Sequence, residues 1–151
     1  YENRPFADLG EMDKMLIQNW NNIVAPKDTI YHLGDFSFKD PRKYVAQLNG
    51  DINLIFGNHD KESRRRSNIF TSCNEMVELN IDGQIIVLCH YEMKSWNKCT
   101  EGSWHLYGHS HCKSPESEFS FSFDVGVDCW NYKPISIEDV FKKMRHKKLR
   151  V

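Results

Sequence analysis

Four short apolar stretches of this chain each run into a turn or strand end that carries aspartate, asparagine or histidine. The stretches are "TIYHL", "INLIF", "IIVLC" and "WHLY", and the polar residues behind them are Asp35, Asn58, His59, His90, His109 and His111. Short apolar runs bounded by turn residues are typical of buried strands. Because ligands in α/β sheets bind outside the carboxyl ends of strands, the pattern predicts an α/β domain with one polar site at those ends.

The bulk composition agrees with a single domain over residues 1–151. The chain has 151 residues, 40% of them apolar and 27% charged, and a formal net charge of −1. This charge gives no overall field to attract nucleic acid or an anionic membrane, and no apolar run approaches the roughly 20 residues that span a bilayer. Five scattered cysteines without a C-x-x-C pair favour reduced thiols, so we expect a cytoplasmic protein without a disulfide framework.

Helices are predicted in three places. Apolar residues at helical spacing predict an amphipathic helix over residues 8–24. Asp40-Pro41 predicts a second helix that continues to about residue 48, because proline suits the first helical position. Ser136 and Asp139 have capping-box spacing, which predicts a last helix after Ser136.

Two further strand features stand in the second half of the chain. Asp82-Gly83 lies between two apolar runs, and this dipeptide predicts a tight hairpin turn. The segment "SEFSFSFDVGVD" alternates apolar and polar residues, which predicts one half-buried strand. Its apolar positions are Phe119, Phe121, Phe123, Val125 and Val127.

The residues at the strand ends offer only oxygen and imidazole donors. This set suits a borderline divalent metal such as Mn, Fe, Co, Ni or Zn, and it lacks the thiolates of a structural zinc site. Taken alone, each motif has an ordinary structural explanation as a turn or a hydrogen-bonded histidine. Four in succession favour a metal site, whereas His32 and His105 lie within strands and are expected to be satisfied core histidines.

The polar motifs also follow a recognisable order. They are "GD" at 34–35, "GNHD" at 57–60, His90, and "GHSH" at 108–111. These resemble the ordered blocks of the calcineurin-like metallophosphoesterases, and the short chain with its "VGVD" ending resembles their small bacterial and phage-type branch. The resemblance implies a single-domain α/β fold in which two packed mixed β-sheets are flanked by helices, an αββα sandwich. It also implies metal-dependent hydrolysis of phosphodiesters or phosphomonoesters.

The resemblance implies a dinuclear centre of two divalent ions, with manganese, iron, nickel or zinc as candidates. Asp35 would bridge the ions. One ion would be held by Asp35, Asn58, His90 and His109, and the other would take Asp35 and His111.

Two further residues receive catalytic roles from the same resemblance. His59 would face the substrate and either protonate the leaving oxygen or stabilise the transition state. Asp60 would orient His59, although an N-terminal cap for the following helix is an equal alternative. The residues that bind the rest of the substrate are not identified by the sequence.

One block of the family is absent from the sequence. Residues 1–33 contain no acidic residue two positions before a histidine, so the D-x-H block that completes the second metal site is missing. We expect about 15–25 further residues before Tyr1, an apolar strand that ends in Asp-x-His. The alternative is a genuine loss that leaves one complete metal site.

The expected partner is a phosphate-ester substrate, and two other functions remain as alternatives. The chain could be a non-catalytic metal-binding scaffold for protein interactions. It could also be a nuclease, but this would require a nucleic-acid groove, and the modest basic runs 61–66 and 142–150 do not establish one. Trp96, Trp104 and Trp130 could stack on a substrate ring, but packing is the better expectation for each.

Overall fold

Seven strands in two sheets and four helices make up residues 4–148, the part of the chain that this computed structural model describes. The strands are β1 (Thr29–His32), β2 (Asp51–Ile55), β3 (Ser72–Asn74), β4 (Met76–Ile81), β5 (Gln84–Cys89), β6 (Trp104–Tyr107) and β7 (Ser122–Asp124). The helices are α1 (Leu9–Ile23), α2 (Arg42–Val45), α3 (Lys61–Arg65) and α4 (Ile137–Met144). Short 3₁₀ turns lie at Ser67–Ile69, Cys99–Glu101 and Val127–Cys129. Over residues 4–148, every helix is too short or too polar to cross a bilayer.

The two sheets differ in strand direction. The first has the order β1-β2-β3 and is entirely parallel. The second has the order β4-β5-β6-β7, with an antiparallel β4–β5 hairpin followed by parallel pairs. The two-sheet α/β fold flanked by helices is confirmed, although only the second sheet is mixed.

Two apolar clusters hold these layers together. The larger cluster joins Ile55 of β2 to the second sheet and to α4. Its other buried members are Ile86, Leu88, Trp104, Leu106, Phe123, Val140 and Met144. The smaller cluster packs Trp20 and Val24, at the end of α1, against Ile52 and Leu54 on the other face of β2. Strand β2 is therefore covered on both faces, and its carboxyl end is fixed between the two layers.

The two long helices start close to their predicted positions, and a side chain caps each of them. The Asp8 side chain accepts a hydrogen bond from the backbone N–H of Glu11 (2.8 Å), which satisfies one of the free donors of the first turn of α1. The Ser136 hydroxyl accepts one from the N–H of Asp139 (3.1 Å) at the start of α4. The hairpin prediction is also confirmed, since Asp82 and Gly83 have φ of 52° and 87° between β4 and β5.

The second predicted helix is much shorter than expected. Only Arg42–Val45 is helical, and residues 46–48 continue in looser turns, with the N–H of Gln47 bonded to the Tyr44 carbonyl (2.9 Å). The Asp40 carboxylate accepts hydrogen bonds mainly from the Arg42 guanidinium. The helix has no side-chain cap bond at its start. Gly50, at φ +93°, then turns the chain into β2.

The Phe-rich strand is much shorter than predicted. Only Ser122–Asp124 pairs as a strand, and all three of its residues are buried. The backbone N–H of Phe119 donates to the Ser117 hydroxyl (3.1 Å), so Phe119 lies in a turn with 49% of its surface exposed. Local side-chain bonding of this kind competes with strand pairing.

Candidate metal centre

The four motif-bearing loops meet at the carboxyl ends of β1, β2, β5 and β6. β1 runs parallel to β2 in one sheet and β5 runs parallel to β6 in the other, so each pair ends at one edge. The loops bring together Asp35, Asn58, His90 and His109. Within residues 4–148, Asp35, His90 and His109 form a group whose ligand atoms all lie within 4.8 Å of one another, close enough to hold a metal ion.

His90 lies at the centre of this group and is almost completely buried. Its Nδ1 is 2.6 Å from the carbonyl oxygen of Leu33. A carbonyl only accepts hydrogen bonds, so Nδ1 must donate and the neutral ring presents a lone pair at Nε2. A second bond of this kind fixes both the tautomer and the orientation of a metal-binding imidazole.

The Nε2 atom of His90 faces other atoms that also carry lone pairs. It lies 3.1 Å from Asn58 Oδ1, 3.1 Å from His109 Nδ1 and 3.5 Å from Asp35 Oδ2. Ligands 2.0–2.2 Å from a tetrahedral metal ion are themselves about 3.3–3.6 Å apart. Three further lone-pair donors thus surround His90 Nε2 near this spacing, so the residues fit a divalent cation.

The backbone that presents these ligands adopts strained conformations. Asp35 and His109 have φ of 55° and 61°, in the left-handed region that residues other than glycine rarely adopt. Gly34 also has a positive φ, and a Cβ on it would collide with His90 Nδ1. A Cβ on Gly57 would collide with Asp35 Oδ1, so both loop glycines are required by close packing.

Asp60 holds two of the ligand loops together. Its carboxylate is 1% exposed and accepts hydrogen bonds from the backbone N–H groups of Asp35 (2.7 Å), Phe36 (2.8 Å) and Gly57 (2.8 Å). Its side chain makes no cap bond to α3. Both of its oxygens accept from loop backbone, and within residues 4–148 its side chain makes no hydrogen bond to His59.

His59 is exposed at the mouth of this group. Its backbone N–H donates to Asp35 Oδ1 (2.8 Å), which ties its position to a candidate ligand. Its ring packs 5.0 Å from the ring of Phe38, centroid to centroid. His59 is thus placed next to the candidate ligands without belonging to them.

His111 points to a different set of partners. Its Nδ1 is 2.8 Å from Asp128 Oδ2, and Asp128 also accepts two hydrogen bonds from the Arg4 guanidinium, at 2.7 and 2.8 Å. Burial by itself raises the pKa of Asp128, but the bonds from Arg4 and His111 outweigh it and hold that pKa below its usual value. The charged carboxylate fixes the His111 ring and leaves its Nε2 available.

Another buried carboxylate shapes the "GHSH" loop. Asp124, at the end of β7, accepts hydrogen bonds from the Ser110 hydroxyl and from the N–H groups of Cys112 (3.2 Å) and Gly126 (2.7 Å). Sequence analysis missed the supporting roles of Asp124, Asp128 and Arg4. The only sequence signal was their position, since two of them follow apolar residues in "SFDVGVD".

The prediction that all five cysteines are reduced was wrong for two of them. Cys112 and Cys129 form a disulfide with Cα atoms 5.4 Å apart, whereas Cys73, Cys89 and Cys99 are free. The pairing of β6 with β7 and the bond between His111 and Asp128 bring the two loops together. Sequence spacing does not reveal this contact.

The histidines expected to be structural behave differently from each other. His105 is fully buried and satisfied, with Nε2 accepting from Met93 N–H (3.1 Å) and Nδ1 bonded to the Val87 carbonyl (3.1 Å). His32 is not satisfied, because its buried Nδ1 has no hydrogen-bond partner within residues 4–148. Burial lowers the pKa of His32, which keeps the ring neutral between Trp20 and Phe36.

The three tryptophans considered as substrate contacts pack within the protein. Trp104 is buried against Phe141, and Trp130 packs on Phe123. Trp96 stacks on the His105 ring and donates to the Ser103 carbonyl (3.2 Å). The exposed aromatic rings at the site are Phe38 and Tyr91, which sequence analysis did not identify.

Comparison with known proteins gives the same fold. An uncharacterized protein of Methanocaldococcus jannaschii is 37% identical over 153 residues, which cover 94% of this chain and 80% of that protein. A solved protein of unknown function from Aquifex aeolicus superposes with a TM-score of 0.69 at 22% identity, covering 92% of this chain and 88% of that one. A solved archaeal phosphodiesterase superposes with a TM-score of 0.54 at 21% identity, covering 76% and 74%.

A family model supplies the assignment. The model of the calcineurin-like phosphoesterase superfamily domain matches residues 12–123, which include the loops of Asp35, Asn58, His90 and His109. Together with the two-sheet fold, this match places the chain in the calcineurin-like phosphoesterase superfamily.

Proposed function

We propose that this chain is a metal-dependent phosphoesterase that hydrolyses phosphodiesters. The observation that carries the proposal is the convergence of lone-pair donors on His90 Nε2 at the strand ends. Membership of a phosphoesterase superfamily supports it. A neighbour in fold is an archaeal phosphodiesterase, so diesters are the first substrate class to test, with phosphomonoesters second.

In this proposal the four converging residues bind one divalent ion, and manganese, iron, nickel and zinc all suit the donors. His111 and Asp35 contribute to a second ion. Asp35 would contribute to both ions; its Oδ2 lies 3.5 Å from His90 Nε2, and the bond from the His59 N–H to Oδ1 fixes the orientation of the carboxylate. The bond from His111 Nδ1 to Asp128 leaves Nε2 for such a ligand role.

A bound divalent cation would supply Lewis acidity, activating water near neutral pH and offsetting the charge of the phosphoryl oxygens. The protein's own residues set the charge of the centre and hold the ligand loops in position. Asn58 offers a neutral carbonyl oxygen, which keeps the centre more positive than a third carboxylate would. Asp60 holds the loops of Asp35 and Gly57 at a fixed separation through three backbone bonds.

His59 is proposed as the general acid. Hydrolysis adds water to phosphorus and breaks the bond from phosphorus to the ester oxygen, which then requires a proton. The exposed His59 ring lies beside the candidate ligands and has no hydrogen-bond partner within residues 4–148, so it can deliver that proton. General acid catalysis of this kind contributes about 10²–10⁴-fold.

The test compares metal binding with turnover in matched variants. Metal-free protein is titrated with Mn²⁺, and hydrolysis of bis(p-nitrophenyl) phosphate and p-nitrophenyl phosphate is followed by absorbance. His90→Ala removes the central donor, and His146→Ala, at an exposed histidine beyond α4, is the control. We expect metal-dependent hydrolysis of the diester that His90→Ala abolishes and His146→Ala retains.

The same experiment distinguishes an enzyme from the alternative, a non-catalytic metal-binding scaffold. Tight metal binding without turnover of either ester would reject the enzymatic function and favour a non-catalytic metal-binding module. Turnover that is unaffected by His90→Ala would show that the converging group is not the active centre.

A further inference from the structure

Phe38 is the most exposed large apolar side chain among residues 4–148, with 72% of its surface accessible. It follows the Asp35 loop by three residues, and its ring lies 5.0 Å from that of His59. Phe119 is also exposed, at 49%, but it has no ring partner in the described part of the chain. Isolated exposed apolar residues are ordinary, so the position of Phe38 beside the proposed general acid is the informative fact.

The loop presents Phe38 on a fixed turn. Ser37, next to it, is buried, and its hydroxyl accepts from the Lys39 N–H (3.1 Å) and donates to the Lys39 carbonyl (3.1 Å). These two bonds close the backbone around residue 38 and leave its side chain pointing away from the packed interior. A ring held in this way loses little further freedom when a ligand covers it.

A second exposed aromatic ring borders the ligand group. Tyr91 is 46% exposed, and its ring centroid is 4.8 Å from His90 and 5.0 Å from His109. Aromatic surface therefore borders the group at two points, beside His59 and beside His109. Tyr91 contacts two proposed metal ligands, so its substitution would disturb metal binding, and Phe38 is the better residue to test.

We propose that Phe38 and the adjoining His59 ring bind the planar ring of the substrate's leaving alcohol, so that the preferred substrates are phosphodiesters of nucleosides. This inference rests on the proposed function. If His59 protonates the leaving oxygen, the group on that oxygen must lie within a few ångströms of His59 and therefore next to Phe38. Every nucleobase has a π-face that can stack on such a ring, and loss of one base–aromatic stack costs about tenfold in affinity.

The binding test uses two phosphates that differ only in the base. Adenosine 5′-monophosphate and ribose 5-phosphate are titrated into the Mn²⁺-loaded protein by calorimetry. We expect the nucleotide to bind about tenfold more tightly than the sugar phosphate. Phe38→Ala should remove this difference, Phe38→Trp should keep it, and Phe119→Ala should leave it unchanged.

The turnover test uses two diesters with alkyl leaving alcohols of similar acidity. Benzyl methyl phosphate carries a flat ring, and cyclohexylmethyl methyl phosphate carries a puckered ring of the same size. We expect kcat/KM to favour the benzyl ester about tenfold in the unmodified protein and to be nearly equal in Phe38→Ala. Thermal melting of Phe38→Ala should match the unmodified protein, because an exposed ring contributes little to folding.

The outcomes separate this inference from the proposed function. Hydrolysis of both diesters at equal rates, or a nucleotide preference that survives in Phe38→Ala, would overturn the ring-binding role while leaving the phosphoesterase intact. Hydrolysis of neither diester would reject the proposed function and the ring-binding role with it.

Discussion

Removal of the Asp60 carboxylate should destabilise the fold strongly without removing any candidate ligand. Asp60→Ala leaves three backbone donors without an acceptor, those of Asp35, Phe36 and Gly57. The Gly57 donor is buried and the other two are partly buried, so we take about 1–2 kcal/mol for each. The expected loss is about 3–6 kcal/mol, a large part of the 5–15 kcal/mol typical of a domain.

The Asp60→Asn variant should remove the acceptor of only one of the three backbone donors. Asp60 Oδ2 accepts from Asp35 and Gly57, and Oδ1 accepts from Phe36 alone. The substituted side chain would keep one oxygen for the first two donors and turn its NH₂ group toward the Phe36 N–H. The one donor left unsatisfied, the partly buried Phe36 N–H, should cost about 1–2 kcal/mol, less than the alanine variant.

Urea unfolding in the presence of a chelator measures both variants without a contribution from bound metal. Asp51→Ala, an exposed aspartate at the start of β2, is the control and should unfold like the parent. The midpoint should fall in the order parent, asparagine variant, alanine variant, with little change in slope. Equal stability of parent and Asp60→Ala, or an asparagine variant as unstable as the alanine one, would refute the positioning role.

Three further predictions follow from other parts of the site. His59→Asn should leave metal content unchanged and slow hydrolysis most for esters with poor leaving groups; equal slowing of nitrophenyl and alkyl esters would remove the general-acid role. Because the pKa of Asp128 is lowered on folding, its contribution to stability is present above its unfolded pKa and is lost as pH falls through the folded value. Urea titrations between about pH 5 and pH 3 should therefore show that the parent loses more unfolding free energy than Asp128→Asn does. Equal losses of stability in the two proteins would contradict this. Reduction of the Cys112–Cys129 disulfide, which closes a loop with a sequence separation of 17, should lower stability by about 3 kcal/mol, and Cys99→Ser should leave that loss unchanged.

The strand ends could be predicted from the sequence because periodicity and turn residues act locally. Each apolar run ends at a glycine turn or a strand end, and parallel pairing carries those ends to one edge. Ser136 marked the start of α4 for the same reason, since a cap bond spans only three residues. Positions fixed by local hydrogen bonds are visible in a single sequence.

The supporting carboxylates could not be predicted, because their partners are distant in sequence. Asp60 binds backbone groups 24 and 25 residues away, and Arg4 reaches Asp128 across 124 residues. β7 was predicted too long because the Ser117 hydroxyl captures the Phe119 N–H, a choice that alternation of side chains does not show. The Cys112–Cys129 bond likewise depends on how two loops meet.

The most direct test of the central claim is to locate the metal in crystals grown with Mn²⁺, using anomalous scattering. We predict an ion bound by His90 Nε2 and His109 Nδ1, together with one oxygen each from Asp35 and Asn58, at distances of about 2.0–2.2 Å. An ion bound elsewhere, or one that lies more than about 3 Å from any of these four atoms, would contradict it.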